Sequence, residues 1–218
     1  MIKLVDICRT YHLKNQDVKA LDGISLEISD CSFTAITGHS GCGKTTLLNI
    51  IAGYDRSDSG LYLYDGRLVN DYDEQKMTDF YRHEVSMIFQ EFHLLPYLNV
   101  YENIRLPLHY QKRRMNDKEM DAVLEQVGLR GYGCFYPHQL SGGQKQRVAL
   151  ARTLVSEVRV VLADEPTGAL DRENADNIVK LLKGMKEYGM TVVLVTHDEG
   201  IAMMADRIIT LENGHVVS

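Results

Sequence analysis

The stretch Gly38-His39-Ser40-Gly41-Cys42-Gly43-Lys44-Thr45-Thr46 limits what this chain can become more than any other part of it. Glycines recur through the loop and a lysine and two threonines follow at once. The apolar run at 32–37 before it predicts a short buried strand, and the apolar-faced run at 46–52, stopped by Gly53, predicts a helix. Strand, glycine turn and helix in that order aim several backbone N–H groups at one anion, and the helix adds its positive dipole end. Such a cradle suits a nucleoside di- or triphosphate. Lys44 is placed to neutralise the β- and γ-phosphates, and the Thr45 hydroxyl to reach Mg²⁺.

The 218 residues suit one domain, or one domain carrying a subdomain. A net charge of −6 argues against sequence-independent nucleic-acid binding, which needs clustered Lys and Arg. The run Lys112-Arg113-Arg114 reads as a solvated loop. No window approaches the roughly 18 consecutive apolar residues of a membrane span, and the first residues lack a signal-peptide profile, so a cytosolic location is expected. Cys8, Cys31, Cys42 and Cys134 are scattered without metal or disulfide spacing and are expected as free thiols.

Taken in order, Ile24, Leu26 and Ile28 alternate with Ser25 and Glu27 as on a half-buried sheet. Tyr11, in a polar stretch running to Asp17, offers a ring on which an adenine stacks. Leu61 to Val69 with Asp65-Gly66 at its centre predicts a hairpin, residues 74–83 a polar helix and residues 85–89 a buried strand. Gln90, at the end of that strand, can reach a bound cation and the attacking water. Residues 91–156 turn mainly helical, and Asn116 with Glu119 marks a capping box. Leu140-Ser141-Gly142-Gly143-Gln144 runs straight into a second helix, so its start is a second anion site. Two phosphate-binding helix starts in one chain are explained most economically by two copies sharing nucleotides. The apolar run at 160–163 ends in Asp164 and Glu165, at the strand end where open α/β sheets bind ligands. Asp164 suits Mg²⁺ and Glu165 suits a general base for water. A helix over 172–188 closing at Gly189 and a strand over 191–195 follow, and the strand delivers His197 to contact the γ-phosphate and orient the water. A strand over 207–212 and an Asn213-Gly214 turn finish the chain.

Together these elements resemble the nucleotide-binding subunit of an ATP-binding cassette (ABC) transporter, and the resemblance covers essentially the whole chain. Met87-Ile88-Phe89-Gln90, Leu94-Leu95-Pro96, Glu102-Asn103-Ile104 and the segment from Leu162 to Asp171 look like the macrolide-export and lipoprotein-release branch. That branch also holds antimicrobial-peptide detoxification modules and a division-associated ATPase. The resemblance implies an α/β fold: a RecA-like P-loop NTPase core with an antiparallel β subdomain, over 1–90 and 157–218, and an inserted α-helical subdomain over 91–156. It implies ATP and Mg²⁺ as ligands, with Tyr11 on the adenine, Gly38 to Thr46 on the phosphates, and Thr45, Gln90 and Asp164 on the metal. Glu165, His197, Lys44 and Gln90 are the implied catalytic groups. Ser141, Gly142, Gly143 and Gln144 complete the partner's site, and Asp171 lies in the dimer-contact loop. The implied assembly is a head-to-tail homodimer around two Mg·ATP, docked peripherally on an integral membrane permease at the inner face of the cell membrane.

The chain departs from the usual pattern at Cys31 and Ser32, where the family commonly has glycine and an acid, and at His39 and Cys42, commonly proline and serine. A thiol at Cys42, among phosphate-binding N–H groups, is expected to react with thiol reagents unless ATP shields it. The apolar segment Phe92-His93-Leu94-Leu95-Pro96-Tyr97-Leu98 is the expected permease contact. Two other functions compete: an ATP-dependent interaction subunit of a division-type membrane complex with no transported substrate, and a soluble ABC ATPase acting on DNA or the ribosome. Against the latter, residues 46–139 hold no coiled-coil interruption and the chain carries no second cassette.

Overall fold

A computed structural model describes residues 1–14 and 16–217. Two sheets share the chain. Strands β1 (Ile2–Leu13), β2 (Gln16–Ile28), β4 (Ser59–Tyr64) and β5 (Arg67–Leu68) form an antiparallel sheet in the order β2-β1-β4-β5. Tyr11 and the polar stretch that holds it lie within a strand, with Tyr11 opposite Val18. Propensity hid this because Thr10 to Asp17 has few apolar residues, while backbone pairing with β2 carries the strand on. The β4–β5 turn has Asp65 and Gly66 at φ 48° and 73°, the double positive values that a primed hairpin turn demands.

The second sheet runs β10 (His215–Val216), β9 (Arg207–Glu212), β3 (Phe33–Thr37), β8 (Thr191–Val195), β7 (Val160–Asp164) and β6 (Val85–Phe89). All neighbours are parallel except β10. A parallel sheet needs both faces covered, which explains why its strands read as continuous apolar runs. Leu162, Val193 and Val195 face one core, with α1 (Lys44–Ala52) and the antiparallel sheet. Val161, Ala163, Val192 and Leu194 face the other, with α3 (Val100–Tyr110), α4 (Asp117–Gln126), α5 (Gly142–Ser156) and α6 (Arg172–Gly184). Strand register alone sends alternate residues to opposite cores.

β6 and β7 are neighbours in space, so everything between Phe89 and Val160 is one long crossover, and it carries α3, α4 and α5. Helix α2 (Glu74–His83) precedes it and short α7 (Glu199–Ala202) follows β8. The capping box at Asn116 and Glu119 forms in both directions. Three boundaries differ from expectation. Helix α1 begins at Lys44 rather than Thr46, because the left-handed Gly43 turns the chain directly into it. Strand β3 begins at Phe33. Helix α6 stops at Gly184, and the chain continues to Tyr188 only as a 3-10 turn.

Cys31, where glycine is usual, sits at φ 52° and is held by its N–H on Thr191 Oγ1 at 3.0 Å. All four cysteines are free thiols. Among the described residues no helix is long and apolar enough to cross a membrane.

Candidate functional site

The parallel strands end at a cleft of about 500 Å³ lined by Tyr11, Gly43, Lys44, Thr45, Gln90, Asp164, Glu165 and His197, among others. The loop between β3 and α1 forms its floor. A side chain at Gly38 would run into the Leu211 carbonyl and one at Gly43 into the Ala20 carbonyl, at φ 144° and 106° respectively. Only glycine lets the loop pass between these strands. Gly43 caps α1 without any side-chain hydrogen bond, which leaves the first-turn N–H groups to a ligand. Ser40 and Gly41 are exposed on the loop, Thr46 lines the cleft, and His39 bends back so that its Nδ1 lies 2.8 Å from the Ser40 carbonyl oxygen.

Lys44 is 9% exposed, and its ammonium donates to the Gly38 and His39 carbonyls at 2.8 and 2.9 Å. Among the described residues it makes no salt bridge to a carboxylate. A buried cation so placed favours an anionic ligand.

Cys42 corrects an expectation. Its thiol is 1% exposed and packs beneath the loop, 3.9 Å from Lys44 Nζ, in the core shared with Leu47 and Leu48. The backbone of Cys42 belongs to the phosphate loop, but its side chain points the other way. A reagent has no path to it in the folded chain, so the expected ATP-shielded reactivity does not follow.

Thr45 Oγ1 donates to Asp164 Oδ2 at 3.0 Å, linking the loop to the end of β7. Burial raises Asp164 above the ordinary aspartate range; the Thr45 hydrogen bond opposes this, Glu165 adds to it and Lys44 offsets part of it. A desolvated carboxylate beside a hydroxyl is a pair of hard oxygen donors, which suits Mg²⁺. Among the described residues no three His, Cys, Asp or Glu side chains gather as a metal site. A cation held here would need further ligands beyond these two side chains, and Mg²⁺ commonly takes such ligands from phosphate oxygens and water.

Glu165 adopts φ 48°, a strained value for a non-glycine residue, held by its N–H on the Val195 carbonyl at 3.0 Å. That turn brings Oε2 to 2.9 Å from His197 Nδ1. Gln90 packs its side-chain amide over Gly168, just beyond the same turn.

The remaining expected residues lie elsewhere. Ser141 caps α5 through Gln144 N–H at 3.3 Å, and Gln144 Oε1 accepts from Ser141 N–H at 2.8 Å. Gly143 presses on Asn174, whose amide donates to Asp171 Oδ2 at 2.8 Å; Asp171 in turn caps α6. The Asn174 N–H and side chain hold Asp171 below the usual carboxylate range. Neither Ser141 to Gln144 nor Asp171 lines the cleft.

Sequence reasoning missed several residues around these groups. Arg9 and Asp55 bracket Tyr11: Arg9 lies over its ring at 4.9 Å and Asp55 Oδ2 accepts from its hydroxyl at 2.8 Å. Buried Gln146 donates to the Phe89 carbonyl at 3.3 Å, tying α5 to the residue before Gln90. A polar residue at a buried helical position was the available signal. Buried Asn103 bonds the backbone of Leu95, Leu98 and Asn99, and Arg152 the carbonyls of Phe92 and His93.

Comparison with known proteins identifies the family and the fold. The family model described as ABC transporter matches residues 21–168. The chain belongs to the ABC transporter family. Over its full length it is 40% identical to the macrolide export ATP-binding/permease protein MacB of Chlorobaculum tepidum and covers 34% of that protein. It thus spans about a third of such relatives. It is 39% identical to the uncharacterized ABC transporter ATP-binding protein YvrO of Bacillus subtilis, of which it covers 96%. Among solved structures it is similar to the dimeric ABC transporter cassette MJ0796, with a TM-score of 0.90, 40% identity and coverage of 100% of this chain and 97% of that one. A second MJ0796 structure, a post-hydrolysis dimer bound to ADP and Pi, matches at TM-score 0.90 with 39% identity and the same coverage. The chain is an ATP-binding ABC ATPase cassette.

Proposed function

We propose that this ABC cassette works as a head-to-tail pair closing around two Mg·ATP, and that it drives an integral membrane permease. The observation that carries the reading is the separation of the two helix starts. Tyr11, Lys44, Thr45, Gln90, Asp164, Glu165 and His197 meet at one cleft, while Ser141 to Gln144 and Asp171 take no part in its lining. A second copy supplies what each cleft lacks, and two-fold pairing closes both sites at once.

In the reaction Glu165 takes a proton from a water aligned with the γ-phosphorus. The water oxygen bonds to phosphorus as the bond to the β–γ bridging oxygen breaks, leaving ADP and phosphate. His197 holds the Glu165 carboxylate in place and meets the γ-phosphate. Thr45, Asp164 and Gln90 would hold Mg²⁺, which would supply neutralisation of charge on the phosphate oxygens. Lys44 exchanges its loop carbonyls for phosphate oxygens. Because ATP bridges the copies, losing the γ-phosphate removes contacts present only in the closed pair, and the pair opens.

The permease reading draws on the MacB relatives, whose names join ATP-binding and permease functions. We place the contact at residues 92–98, where Leu95 and Tyr97 are exposed on a backbone that Asn103 and Arg152 secure. The cargo class we favour is hydrophobic, peptide or lipid-linked, and the permease sets the cassette in the cytoplasm at the inner face of the membrane.

Glu165→Gln tests the catalytic part. Turnover should fall by about 10²–10⁴-fold while ATP is retained and a dimer accumulates by analytical ultracentrifugation. Unchanged turnover would overturn the base assignment. Copurification of a permease that stimulates hydrolysis tests the partner, and a membrane protein that binds without moving any substrate would favour the interaction-subunit reading.

A further inference from the structure

β1 pairs with β4 only as far as Cys8 and Ser59, whereas its pairing with β2 continues to Leu13. Beyond Cys8 the strands form a two-stranded ribbon, and Tyr11 sits on it. The register between β1 and β2 also shifts between Ile7 and Arg9 and again between Arg9 and Thr10. Such a ribbon is marginal on its own and slips easily. A ring carried there is a poor platform for a base unless something holds it.

Two carboxylates from the loop after α1 grip three consecutive ribbon residues. Asp55 takes the Arg9 fork with Oδ1 and Oδ2 at 2.8 and 3.1 Å, and Oδ2 also accepts the Tyr11 hydroxyl at 2.8 Å. Asp58 takes the third arm of Arg9 at 2.7 Å and the Thr10 N–H at 2.6 Å. The Arg9 guanidinium lies 4.9 Å from the centre of the Tyr11 ring, where cation–π attraction fixes the tilt of the ring. The same loop folds back on α1, with the Tyr54 and Asp55 N–H groups on the Asn49 carbonyl at 2.8 and 3.2 Å. Helix α1 begins at the phosphate cradle, so the cradle and the ring are joined through Asp55.

We propose that Arg9 and Asp55 are positioning residues that set the Tyr11 ring at a fixed distance and tilt from the phosphate loop, so that adenine and triphosphate are gripped together. This rests on the reading of Tyr11 as the adenine platform. The Tyr11 hydroxyl is engaged by Asp55, which leaves the ring face as the recognition element. Arg9 and Asp55 act on the base end of the nucleotide and leave the phosphate end alone.

Calorimetric titration of the whole chain with ATP and, separately, with inorganic tripolyphosphate, both with Mg²⁺, separates the two ends. Arg9→Leu should weaken ATP by about three- to tenfold, leave tripolyphosphate affinity in place, and raise KM while retaining kcat. Arg9→Lys, which keeps the charge but loses the fork, should give an intermediate loss. In a Tyr11→Ala background Arg9→Leu should add almost nothing. Equal weakening of ATP and tripolyphosphate by both Arg9 variants, or full ATP affinity in Arg9→Leu when Tyr11→Ala is impaired, overturns the proposal. Full ATP affinity in Tyr11→Ala overturns the platform reading itself, a separate result.

Discussion

The chain has two glycine-bearing helix starts, and they are built in opposite ways. Gly43 opens α1 at φ 106° with no side-chain cap, whereas Ser141 opens α5 inside a reciprocal capping box with Gln144. The first leaves its N–H groups for a ligand and sets a buried lysine beside them. The second has already satisfied part of its own requirement, and its Lys145 lies over the Phe92 ring, so it suits the role of a secondary contact. A helix start that is stable alone can be presented to a partner without nucleotide, while an uncapped one gains most from binding. In the proposed pair, α1 binds ATP first and α5 of the second copy closes on it.

Lys44→Ala is the strongest way to break this contrast. Losing a charge-assisted contact at the primary start should cost about 10–100-fold in ATP affinity, read by calorimetry, and unaltered affinity would mean α1 is not the primary site. Changes at α5 should divide differently. Ser141→Ala removes the cap and should lower stability by about 1 kcal/mol in denaturant melts. Ser141→Asp keeps the cap but sets a negative charge where the partner's γ-phosphate belongs, so stability should hold while ATP-dependent dimer disappears from sedimentation profiles. Dimer formation undiminished in Ser141→Asp would end the shared-site reading.

The smallest effect concerns Asp164. Burial raises its folded pKa, so its ionisation costs the native state; that cost is full above the folded pKa and gone below the ordinary aspartate range. Asp164→Asn should therefore melt slightly higher than the parent near neutral pH without nucleotide, lose the difference at acid pH, and hydrolyse poorly. A melting gain that persists in acid would point to packing instead of charge.

Much of this was legible in the chain because it is local. The glycine loop, the apolar runs of the parallel strands and the capping box at Asn116 each lie within a few residues of themselves; the box that Ser141 forms with Gln144 was read only as an anion site. Asn99 with Glu102 forms another such box that the reading passed over, although its spacing was there to see. What escaped was non-local. Tyr11 stood in a polar stretch with no apolar periodicity because its strand is maintained by pairing with β2, and its partner Asp55 is 44 residues away. Cys42 looked reactive because backbone function and side-chain direction cannot be separated along a line of letters.

By itself, then, the sequence determined the order of strand, loop and helix, the phosphate cradle, and the acids at the end of β7, since short-range sterics and apolar periodicity dictate these. Tertiary structure alone decided that Cys42 is sealed below the loop, that Arg9 and Asp55 fasten Tyr11, and that Ser141 does not line the cleft of its own chain. The physical reason is that accessibility and long-range hydrogen bonding depend on which distant segments the sheets bring together, and that is set by packing two cores at once.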